Sequence, residues 1–153
     1  MRTGAMTVQI DLTITGLSNV KSGHLIYDTI NHTLNTLMPK RKKPIYIDVE
    51  IALDEDMGIA KGLVNEEDDD SFFMSLTQSL QDDDEELIRT VCHECVHIKQ
   101  YLRKEIRDIT IDTKRWKKEL FDLRTTDYRD LPWEQEAHML EWAISNKIIK
   151  AHT

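Results

Sequence analysis

Between Pro44 and Leu53 the apolar residues Ile45, Ile47, Val49, Ile51 and Leu53 fall on alternate positions, and this strict period of two constrains the fold more than any other feature. It specifies a strand with one buried and one polar face, which needs sheet neighbours and a covering layer. Val8, Ile10, Leu12 and Ile14 repeat the pattern in a second strand that stops at Gly16, and residues 71 to 79 read as a third. The spacing then changes to that of helices. Val20, Ile26, Tyr27, Ile30, Leu34 and Leu37 recur helically from Asn19 until Pro39 stops them. Leu87, Val91, Cys95, Ile98 and Leu102 mark a second helix, and Trp133, Ala137, Leu140, Ile144 and Ile148 a last one from Pro132 to about Ile149. Residues 54 to 70 read as an acidic loop with a short hairpin arm, and residues 104 to 130 carry no readable pattern. The expected fold is α+β, one domain over residues 1–153 with a small mixed sheet.

A chain of 153 residues buries roughly 70% of its unfolded surface, so it needs no structural metal to fold. Its 28 acidic and 20 basic residues leave a net charge of -8, which repels nucleic acid and anionic membranes. No apolar run is long enough to span a bilayer, and residues 1–10 lack the apolar core of a signal peptide, so the expected location is the cytoplasm. Cys92 and Cys95 fall well inside a helix with side chains about 60° apart, which suits reduced thiols more than a bridge or a redox pair. The basic residues Lys40, Arg41, Lys42 and Lys43 read as a solvated turn. The acidic run from Asp82 to Glu86 suits the positive end of the helix that follows it, and neither acidic run has the glycine-containing loop of an EF-hand.

Within the second helix stands an H-E-x-x-H motif, His93 to His97. Four residues is just over one turn, so both imidazoles project from one side about 6 Å apart at the backbone, where one zinc ion can join them. Glu94 lies beside them and can take a proton from a water that the metal has acidified. The two histidines share a line with Glu86, Thr90 and Tyr101, away from the core face marked by Leu87, Val91 and Cys95.

A catalytic zinc needs a third protein ligand and an open position. The last helix opens with Glu134 and Glu136, two residues apart and pointing about 160° from each other, so only one can face the histidines. Helical phase alone does not choose. Glu134 shares its flank with His138 and Glu141, which could orient a zinc-binding group, whereas Leu140 follows Glu136 one turn on.

An H-E-x-x-H followed by a glutamate on a later helix resembles the gluzincin branch of zinc metallopeptidases. Residues 93 to 101 together with Pro132, Trp133, Glu134, Glu136 and Ala137 are similar to small phage-type members, and the likeness covers residues 87 to 145. In that family the ligand glutamate commonly opens an E-x-x-A-D frame. Glu134 to His138 fits it, with His138 where the acid usually stands, and the frame implies Glu134 as the ligand. The resemblance also implies a zincin-like sheet whose edge strand lies along the cleft and pairs with extended substrate, a place that residues 71 to 79 occupy by order. Bottom-up, unpaired edge groups recognise peptides by strand addition. Tyr101 and His138 could each donate a hydrogen bond to a developing oxyanion.

The reading is a Zn2+-dependent hydrolase of peptides or proteins, with His93, His97 and Glu134 as ligands and Glu94 as general base. The alternatives are a silent zinc-binding module that sequesters a protein partner, or a metal hydrolase of a non-peptide amide.

Overall fold

The computed structural model describes residues 7–152. Residues 1–6, part of the stretch that reads as lacking a signal peptide, lie outside the described residues. Strand β1 (Ile10–Thr15) leads to α1 (Val20–Leu37), β2 (Ile45–Ala52) and a single turn, α2 (Asp54–Met57). A hairpin of β3 (Gly62–Asp68) and β4 (Ser71–Thr77) precedes α3 (Asp84–Leu102). Three short strands follow, β5 (Ile106–Thr110), β6 (Thr113–Trp116) and β7 (Glu119–Asp122), and α4 (Pro132–Ala151) closes the described chain.

The main sheet is mixed, in the order β1-β2-β4-β3, with β3 alone antiparallel to its neighbour. Ile45, Ile47 and Val49 of β2 and Phe72, Met74 and Leu76 of β4 form its buried face, as period-two alternation requires. Helices cover that face, while Tyr46, Asp48 and Glu50 stay exposed on the other, which makes the fold α+β. Gly16 ends β1 at φ 88°, and a Cβ there would stand 2.8 Å from the Ile51 carbonyl oxygen. Expectation and structure part within α1: Val20 and Tyr27 face solvent, and Leu25, Thr29 and Thr33 complete the buried stripe with Ile26, Ile30 and Leu34. Two threonines in the buried stripe hide it from a purely apolar count.

Helix α3 is the spine of the molecule, packed against α1, α4 and the sheet. Asp83 caps it, its Oδ1 accepting from the Glu86 N–H at 3.1 Å, and Asp84, Glu85 and Glu86 meet the positive end of its dipole. Cys92 and Cys95 are free and buried, and burial pushes both thiols up, Cys92 to about 11, so they act as core residues. The basic turn is not merely solvated, because Arg41 pairs with Asp70, which sits at φ 67° in the β3–β4 turn. The unpatterned region becomes the β5-β6-β7 meander, whose Trp116 and Phe121 pack on Trp133 at the start of α4. No described helix is long and apolar enough to cross a membrane.

Candidate metal centre

The H-E-x-x-H line leaves the core face of α3 as its phase demands, but it does not reach open solvent. Residues of β3 and α4 flank it, and Glu94 and His97 are buried. The resulting cleft holds about 650 Å³ and runs along α3 from Glu86 and Arg89 to Tyr101.

At its centre the Nε2 atoms of His93 and His97 lie 2.9 and 3.2 Å from one oxygen, Oε1 of Glu134. The outer nitrogens are tied back. His93 Nδ1 is 2.9 Å from Glu141 Oε1, and His97 Nδ1 is 2.8 Å from the amide oxygen of Gln100. Both partners are acceptors, so each Nδ1 carries the proton and each neutral ring turns its Nε2 lone pair inward. Lone pairs facing a carboxylate oxygen repel unless a positive charge lies among them. In the protein alone a proton supplies it: burial lowers the pKa of His93, but the bonds to Glu134 and Glu141 outweigh burial and lift it to about 10. The counterpart is Glu134, where burial acts upward but the two histidines hold the carboxyl well below its usual range. A divalent metal would supply the same charge, and the set of two imidazoles and one carboxylate fits zinc with a position left open.

Glu136 stands elsewhere, accepting from Lys99 Nζ at 2.9 Å and Gln100 Nε2 at 3.0 Å. His138 offers a competing set, because ligand atoms of His93, Glu134 and His138 lie within 4.8 Å of one another. His97 is the better third group. It is buried and fixed by Gln100, whereas the His138 side chain is 57% exposed and its Nε2 is 3.0 Å from the Tyr128 hydroxyl.

Glu94 is raised by burial, against the pull of His97 and His93. Thr90 and Glu94 face β3 at Gly62, where a Cβ would lie 2.8 Å from Thr90 Cγ2 and 3.2 Å from Glu94 Cγ. Tyr101 lines the cleft, but its hydroxyl donates to Asp108 Oδ1 at 3.1 Å and is committed there. Tyr128, in the stretch without a readable pattern, reaches the centre instead: its hydroxyl donates to Glu134 Oε1 at 2.9 Å. Burial, then the Glu134 charge, push its pKa up, so the proton stays on the oxygen. Gln100 and Gly62 also escape sequence reading. Gln100 sits at i+3 from His97, a usable signal, while Gly62 offers none.

The strand assigned to the cleft needs correction. Residues 71 to 79 contain β4, which lies between β2 and β3, so its backbone is paired on both sides. The edge along the cleft is β3, from the segment read as a loop arm. Comparison with family models, with curated proteins and with solved structures finds no match.

Proposed function

We propose that this chain is a zinc-dependent hydrolase of zincin-like fold, of the gluzincin type, that cleaves extended peptides in the cytoplasm, the host's if the chain is phage-encoded. One observation carries the reading: two inward Nε2 atoms and a carboxylate oxygen meet at one point, each ring held from behind by an acceptor. His93, His97 and Glu134 would hold the ion. A zinc ion so placed brings the pKa of a water towards 7 and polarises a carbonyl.

The chain's own groups supply the rest. Glu94, raised by burial, takes a proton from the attacking water and returns it to the leaving amine. With Glu134 Oε1 turned to the ion, the Tyr128 hydroxyl, which otherwise donates to that oxygen and lies 3.0 Å from His138 Nε2, would be released to donate to the carbonyl oxygen as it gains charge. The Thr77 N–H bonds to Lys61 O at 2.9 Å, so by alternation Gly62 and Val64 direct their backbone groups to the open side of β3. A peptide can pair with them as an added strand. A silent binding module would have no need of a buried carboxylate beside the metal ligands.

Elemental analysis, with digestion of a mixed peptide library, tests the reading. One zinc per chain is expected, and Glu94→Gln should keep it while losing about 10² to 10⁴-fold in rate. Absence of zinc uptake, or full activity in that variant, would refute it.

A further inference from the structure

The two ends of the cleft differ in chemistry. At one end Val64, Tyr101, Ile106 and Trp133 line it, and at the other Lys61, Glu86 and Arg89. Two of the cleft's three cations have carboxylates beside them: Lys61 with Glu86 at 3.0 Å and Lys114 with Asp108 at 3.6 Å. Arg89 does not. Its Nη1 donates to Ser145 Oγ at 2.9 Å, its Nη2 to Asn146 Oδ1 at 3.1 Å, and its guanidinium stacks 4.1 Å from the centre of the Trp142 ring. In a chain with 28 carboxylates, this arginine is held by neutral groups alone among the described residues. Such a hold fixes the planar group while leaving N–H donors and the full charge available.

Arg89 and His93 stand four apart on α3 and share a face. Along the helix axis Arg89 lies about 7.5 Å before Glu94, roughly two residues of an extended peptide. A guanidinium fork at that distance matches a carboxylate in two parallel hydrogen bonds.

We propose that the cleft selects peptides with a carboxylate about two residues from the cut bond on the Arg89 side and an apolar side chain on the opposite side, and that Arg89 reads the carboxylate. The inference rests on the peptidase reading for the place of the scissile bond, while the recognition itself is a binding property.

The test therefore uses the zinc-loaded full chain carrying Glu94→Gln and measures peptide affinity by calorimetry. The panel places Glu or Gln two residues to either side of an apolar centre, with a free or an amidated C-terminus. On one side only, the carboxylate peptide should bind roughly 10- to 100-fold more tightly than its amide twin. The position of the preferred group separates a side-chain carboxylate from a chain terminus. Arg89→Met should abolish the preference, and Arg89→Lys should keep part of it. Equal affinity for the twins, or a preference that survives Arg89→Met, overturns the proposal. So does an equal loss for both twins, which would make Arg89 only a tether between α3 and α4. Wild-type protein that cuts none of these peptides, with the preference intact, would sink the hydrolase reading and leave the carboxylate site standing.

Discussion

One methyl group added at position 62 would reveal how the proposed base is held. Gly62→Ala puts a Cβ 2.8 Å from Thr90 Cγ2 and 3.3 Å from Glu94 Oε2, and Thr90 is β-branched on a helix and cannot turn aside cheaply. Overpacking of this kind costs about 1–3 kcal/mol, so a lower melting point is expected together with at least a tenfold fall in kcat at unchanged zinc content. Adding Thr90→Ser removes the struck methyl and should restore part of both. The choice between the two carboxylates belongs to the same scale. Glu134→Ala should weaken zinc binding in chelator competition by more than the 10- to 100-fold typical of an outer partner, and Glu136→Ala, which acts only through Gln100, by no more than that. The histidine pair was legible because a four-residue spacing on a helix fixes direction. Glu141 was legible for the same reason, although its hydrogen bond goes to His93. Tyr128 and Gly62 owe their places to tertiary contact, which no local period encodes.

Long elements with one buried face announce themselves, as β2 and α4 did. The meander does not, because its inward residues Ile106, Trp116 and Phe121 are dealt to separate strands of four or five residues, too short for alternation to show. β3 was hidden for another reason: its second half carries Asn65 and the charges of Glu66, Glu67 and Asp68 outward, which guard that half of the edge, leave Gly62 and Val64 open, and read as loop. β4 carried its own warning, since Phe72, Phe73, Met74 and Leu76 form a nearly continuous apolar run, and Phe73 is half-buried on the face opposite Phe72, Met74 and Leu76, which suits an interior strand more than an edge. The short helical turn at Tyr128–Asp130 that follows the meander presents a hydroxyl to the site. Tyr128→Phe should lower kcat about 10²- to 10³-fold with little change in KM, as loss of an oxyanion donor does. Steady-state kinetics at saturating zinc separate that outcome from damage to Glu134, which would lower metal occupancy instead.

For the molecule as a whole, the converging groups tie stability to pH in opposite senses with and without metal. Folding raises the pKa of His93 from 6.5 to about 10, so the metal-free fold binds this proton more tightly than the unfolded chain. That contribution is complete below pH 6.5, fades as pH rises, and is gone above about pH 10. Thermal melts of metal-free protein should therefore decline across this window, and His93→Gln should flatten the decline. Zinc bound at the proposed site would displace the proton, so the stabilisation it adds should grow with pH over the same range. The proposed ligands also sit far apart in the chain, His93 and Glu134 being separated by 41 positions that include the whole meander. A single ion joining them would hold together the ends of a long loop, offsetting part of the configurational freedom that the loop loses on folding. The segment with the least readable pattern would thereby be ordered by the two best-signalled helices that bracket it.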